Sequence, residues 1–239
     1  MSWPGPKILA HRGGGSLAPE NTLGAIRLGA SLGFKGVEFD VMLAGDGTPV
    51  LIHDETLERT TNGRGIVAGT PYSVLARLNA GNGEPVPSFE QAARLCRELG
   101  LWANVEIKPA KGHERATGEL VAKLAAELWR GAALPPVLSS FSSEALACAA
   151  EAAPALPRGF LVGKIPPDWH VWLRELGCVA LHCNHKHLTE ATTTEIRAAG
   201  YAILVYTVNE TAVARRLLSW PVDCLVTDAL NEISPELAP

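Results

Sequence analysis

The chain has no long apolar run, no paired-cysteine motif and no marked excess of charge, and each absence removes a class of protein. No stretch of about 18 uninterrupted apolar residues occurs, so no membrane-spanning helix is expected. The opening, MSWPGPKILAHRGG, lacks the basic segment and apolar core of a secretory signal. Five cysteines, at 96, 148, 178, 183 and 224, contain no CxxC or CxxxC spacing. That argues against a thiolate metal site and against a disulfide framework. Isolated cysteines in apolar runs pack as small hydrophobes. Together with the missing signal they lead to the expectation of a soluble protein of the reducing cytoplasm. With 25 acidic and 21 basic side chains the formal charge is −4, which gives no general drive toward nucleic acid or a membrane surface. Oligomeric state leaves no trace, since helix faces such as 116–129 could cover a neighbour or the chain's own core.

What the sequence does have is alternation. Short apolar runs at 8–11, 36–43, 50–53, 102–107, 137–139, 159–162, 178–181, 203–206 and 224–227 read as strands. Amphipathic runs at 22–32, 88–99, 116–129, 143–152, 169–176, 189–199 and 212–218 read as helices, several starting beside Ser or Thr and ending at Gly. Such alternation implies a mostly parallel sheet. Only the six residues AGDGTP separate the second and third runs, far fewer than a parallel crossover needs. Asp46-Gly47 is a hairpin signal, so the third run should fold back antiparallel on the second, with His53 nearly opposite Asp40. Eight strands then remain, and the expected fold is an α/β (β/α)8 barrel, a TIM barrel with a β-hairpin after strand 2. An open doubly wound sheet is the alternative, but Gly13-Gly14-Gly15 lacks the dinucleotide spacing. Residues 1–239 are expected to form a single domain. Residues 54–87, rich in Gly and Pro, are read as a small insertion within it.

In a barrel of this kind chemistry sits where strands end, and the ionisable residues fall there. Strand 1 ends in His11-Arg12, the hairpin arm in His53-Asp54, and strand 3 reads NVEIKP with Glu106 and Lys108 on one face. Strand 2 carries Glu38 and Asp40; later strands lead to His182, Asn209 and Asp228. Any one carboxylate could be a salt-bridge partner of Arg12 or Lys108. Three on adjacent strands must be relieved by protons, bases or a cation, and oxygen donors without thiolate favour Mg²⁺ or Ca²⁺ over zinc. Two histidines flanking such an ion suit displacement at phosphorus, with Arg12 and Lys108 on the non-bridging oxygens. Strand-end position also puts His182 in reach of a substrate.

The blocks AHRGGGSLAPENT at 10–22, GVEFDVMLAGDGTPVLIHDETLERTTNGRG at 36–65, NVEIKP at 104–109, SSF at 139–141, VYTVNE at 205–210 and LVTDA at 225–229 resemble the bacterial glycerophosphodiester phosphodiesterases. The HxNHK segment at 182–186 and Tyr206, where many members have Trp, look most like the small cytosolic type. The resemblance implies hydrolysis of glycerophosphocholine, glycerophosphoethanolamine and similar soluble diesters to sn-glycerol 3-phosphate and an alcohol. It implies His11 and His53 as the acid/base pair, and leaves open which is base and which is acid. Glu38, Asp40 and Glu106 become ligands of Mg²⁺ or Ca²⁺. Arg12, Lys108, Glu20, Asn21, His182, Tyr206 and Asn209 become phosphate- or substrate-binding, and Asp54 is left between orientation and metal contact. Alternatives are a phospholipase of the same barrel class acting on intact lipid, and an inactive phosphodiester-binding barrel.

Overall fold

The computed structural model describes residues 3–238. Nine strands are joined in the order β1-β9-β8-β7-β6-β5-β4-β2-β3, and β1 also pairs with β2. That extra pairing, Ala10 against Val37, closes the sheet. Eight parallel strands form the barrel: β1 (Ile8–Ala10), β2 (Gly36–Leu43), β4 (Trp102–Ile107), β5 (Val137–Ser140), β6 (Arg158–Val162), β7 (Ala180–Asn184), β8 (Ala202–Tyr206) and β9 (Cys224–Thr227). The ninth, β3 (Pro49–Leu51), lies antiparallel on β2 with Val41 opposite Leu51 and Leu43 opposite Pro49. Carrying that register one step puts Ile52 opposite Asp40, with His53 one residue further on.

The helices α1 (Leu23–Ser31), α3 (Phe89–Glu98), α4 (Glu114–Leu128), α5 (Ser143–Ala152), α6 (Trp169–Glu175), α7 (Glu190–Ala198) and α8 (Thr211–Ser219) fill the connections. Their starts follow from capping side chains: Thr22, Ser142 and Thr189 each accept a backbone N–H of the first turn, and Ser88 and Gln91 form a capping box. The short α2 (Tyr72–Leu75) belongs to the segment between β3 and α3. That segment packs its own small core, with Leu57, Val67 and Leu75 against Met42, Val50 and Ile52 of the hairpin.

Alternation along the strands sorts the side chains. Val37, Phe39 and Val41 of β2, like Ala103, Val105 and Ile107 of β4, face outward into the main core against the helices. Their neighbours Glu38, Asp40, Asn104 and Glu106 face inward. The lower interior is closed by Leu9, Trp102, Val137, Leu204, Cys224 and Val226, with Trp3 packed against them. The apolar plug occupies the end where strands begin, which leaves the charged residues at the end where they finish.

Candidate active site

Glu38, Asp40 and Glu106 come from two paired strands, with Asp40 in register with Glu106. They offer oxygen atoms that all lie within 4.8 Å of one another. Glu38 and Asp40 are buried and Glu106 partly so. Burial, with the charge of Asp40, pushes Glu38 up to about 7 and Glu106 up to about 8. Burial acts on Asp40 too, but Lys108, Arg12 and His53 outweigh it and hold this carboxyl below the usual range. The Lys108 ammonium sits 3.1 Å from Glu106 Oε1 and 3.7 Å from Asp40 Oδ1. Three converging carboxylates, two of which resist ionising together, are a donor set suited to a hard divalent cation.

The turn after β1 is shaped to serve this cluster. Arg12 and Asn21 both adopt positive φ, 49° and 58°. The first lets the Arg12 backbone N–H donate to Glu38 Oε2 at 3.1 Å. The second brings the Asn21 amide onto Asp40, donating to Oδ2 at 2.9 Å and accepting the Asp40 N–H at 3.1 Å. Strain of this sort is tolerated where neighbouring contacts over-determine it. The Arg12 guanidinium lies between Glu20 Oε1, at 2.6 Å, and Asp40 Oδ2, at 3.5 Å.

Each histidine is held from behind by a carboxylate. His11 Nδ1 lies 2.6 Å from Asp228 Oδ1, while its Nε2 faces Glu38 at 3.8 Å. His53 Nδ1 lies 2.6 Å from Asp54 Oδ1. Asn209 in turn donates to Asp228 Oδ2 at 3.2 Å and accepts the Asp228 N–H at 2.8 Å. Burial disfavours a charged His11, yet Asp228 and Glu38 outweigh it and its pKa rises above 6.5. For His53, burial together with Lys108 and Arg12 outweighs Asp40 and Asp54, and the pKa falls. The two imidazoles are thus pushed in opposite directions, His11 up by its carboxylate neighbours and His53 down by burial and nearby cations.

Two residues of the expected set pair with Arg59. Asp54 turns to His53 and Arg59, with Arg59 as the first cause of its lowered pKa. Glu20 spends its oxygens on Arg12 and Arg59. His182 is a correction. The strand expected at 178–181 runs instead to Asn184, because the Cys178 N–H still caps α6 by donating to Leu173 O. His182 is thus mid-strand and faces inward, fully buried, with its ring beside Trp3 and over Gly159. Burial alone pushes it down to about 3. It does not join the group at the mouth. Tyr206 does reach that end of the barrel, where its hydroxyl donates to Val162 O at 2.9 Å and its ring meets Phe141 edge-on.

The motif spacing assigns no role to Asp228 or to Arg59. The signal for Arg59 was a deficit of positive charge, since Glu20 and Asp54 both needed a partner.

The profile of the glycerophosphoryl diester phosphodiesterase family matches residues 11–232. The chain belongs to that family. A glycerophosphodiester phosphodiesterase of Caldanaerobacter subterraneus subsp. tengcongensis is 30% identical over 230 residues, covering 92% of this chain and 93% of the relative. Glycerophosphodiester phosphodiesterase 1 of Homo sapiens is 38% identical over 125 residues, 48% of this chain and 37% of its own length. The structure of an Oleispira antarctica phosphodiesterase in complex with the product sn-glycerol-3-phosphate superposes with a TM-score of 0.88 at 35% identity, covering 94% of this chain and 93% of that one. The fold of this family member is therefore the closed barrel with helices between its strands. No helix among the described residues is long and apolar enough to cross a membrane.

Proposed function

We propose that the chain hydrolyses small soluble glycerophosphodiesters, such as glycerophosphocholine and glycerophosphoethanolamine, to sn-glycerol 3-phosphate and a free alcohol. The observation that carries this reading is the pairing of two carboxylate-backed imidazoles with a three-carboxylate cluster at one barrel mouth, in a member of this family. Glu38, Asp40 and Glu106 would hold Mg²⁺ or Ca²⁺. Such a cation, when bound, supplies Lewis acidity toward a phosphoryl oxygen and neutralises developing charge.

The chain's own groups do the rest. Arg12 and Lys108 hold the non-bridging phosphate oxygens and orient phosphorus. Asp228 and Asp54 occupy Nδ1 of His11 and His53, so each imidazole presents Nε2 to the reacting atoms. One of them takes the proton of the attacking oxygen, either water itself or the glycerol O2 hydroxyl with water then opening the cyclic phosphate, and the other gives a proton to the departing alcohol oxygen. Asn21 fixes Asp40, Asn209 fixes Asp228, and the Tyr206–Phe141 pair walls the side of the mouth beside Lys108.

The test follows alcohol release from soluble diesters and from the same headgroup in micellar lipid, with and without EDTA. The reading predicts turnover of the soluble diester that stops with EDTA and returns with Mg²⁺ or Ca²⁺. Activity confined to micelles would mark a lipase, and an inert protein that still binds the diester would mark a binding barrel.

A further inference from the structure

Arg59 lies in the segment that follows β3, and 47% of its side chain is exposed. It nevertheless makes four charge-assisted hydrogen bonds. Its Nε and Nη2 donate to Asp54 Oδ2 and Oδ1 at 2.5 and 3.0 Å. Its Nη1 and Nη2 donate to Glu20 Oε2 and Oε1 at 2.7 and 2.8 Å. Both are forked contacts, in which a planar guanidinium meets both oxygens of a carboxylate. An exposed ion pair by itself contributes little to stability. The interest lies in what the two carboxylates hold on their other side.

Asp54 carries His53 at 2.6 Å, and Glu20 accepts from Arg12, also at 2.6 Å. The two arms come from different loops, one after β1 and one after β3. Among the described residues no other side chain hydrogen-bonds to both carboxylates. Take the guanidinium away and two acidic groups face each other with only Arg12 and His53 left to answer them. Their repulsion then acts directly on the two side chains that they orient. A lysine would restore the charge but not the double fork.

We infer that Arg59 is a positioning residue for the hydrolysis proposed above. Through Asp54 it sets the imidazole of His53, and through Glu20 it sets the guanidinium of Arg12. The inference rests on that reading of the site, and it predicts a signature that a merely structural contact would not give. Losing the Asp54 arm misplaces a proton-transfer group and lowers kcat. Losing the Glu20 arm loosens a phosphate contact and raises KM. Losing Arg59 does both.

The experiment compares Arg59→Met and Arg59→Lys with Asp54→Asn and Glu20→Gln in the full-length, cation-loaded protein. Asp54→Asn is expected to act on kcat and Glu20→Gln on KM, each by about 10- to 100-fold. Arg59→Met is expected to show both effects, with Arg59→Lys between it and the native protein. A second readout is independent of turnover: the NMR titration of His53 in the cation-free protein, its resonance assigned with a His53→Gln variant. With Arg59→Met the full charge of Asp54 acts on the imidazole, so the His53 pKa rises. An unchanged His53 titration, or kcat and KM both within about twofold of native, overturns the inference. So does activity that is lost only in step with thermal stability. If the native protein is inert on diesters, the proposed function fails, while the titration still decides whether Arg59 governs His53.

Discussion

Replacing His182 by Met should make the protein more resistant to acid. The imidazole is fully buried, and its pKa falls from 6.5 to about 3 for that reason alone. Between those values the unfolded chain binds a proton that the folded chain refuses, so stability drops as pH falls through 6.5 toward 3. At pH 5 the loss is about 2 kcal/mol, from roughly 1.4 kcal/mol per pH unit. Chemical denaturation of both proteins at pH 8 and pH 5 checks this, since the other titrating groups cancel in the difference. A native-minus-variant difference that stays the same at both pH values would remove the account of His182. This residue was legible as important and illegible as buried, because HCN looks like the polar end of a strand when it is the middle of one. Glu38, Asp40 and Glu106 were readable for the opposite reason: acidic residues alternating with apolar ones leave only one face for the charge. Asp228 and Arg59 act through a partner side chain, and such second-hand roles carry no spacing of their own.

Among the elements, the hairpin of β2 and β3 positions His53, and it was legible from its turn. Ala44 donates to Thr48 O, Gly47 donates to Ala44 O, and Asp46 accepts the Thr48 N–H. Gly47 has a φ of +82°, and a Cβ there would meet nothing within 4 Å. Gly47→Ala should therefore cost about 1 kcal/mol of backbone strain and no packing. The ladder pairs from Val41–Leu51 to Leu43–Pro49 hold the register independently of the turn. Turnover is accordingly expected to stay within about twofold while the denaturation midpoint falls. A large loss of kcat at unchanged stability would show that the turn, and not the ladder, places His53. Strand β7 was the least readable element. Its true start is hidden by the cap of α6, where Gly177 and Cys178 continue an apolar run without joining the sheet.

At the scale of the whole molecule, the interior is divided. Trp3, Trp102 and the apolar residues around them fill the end where strands start, and ionisable groups fill the end where they stop. The alternating strands and helices made the closed barrel readable, and the short AGDGTP connection removed the ninth strand from the count. The convergence of side chains from β1, β2, the hairpin, β4 and β9 on one mouth depends on closure by the β1–β2 pairing, which no local stretch encodes. The central claim is that this mouth gathers a single hard cation between three carboxylates, with both imidazoles facing it. Anomalous diffraction from crystals soaked in Ca²⁺ tests it most directly. The account predicts one strong peak enclosed by Glu38, Asp40 and Glu106, with oxygen distances of about 2.3–2.6 Å. A peak bound elsewhere, or none at a concentration that supports turnover, would contradict it.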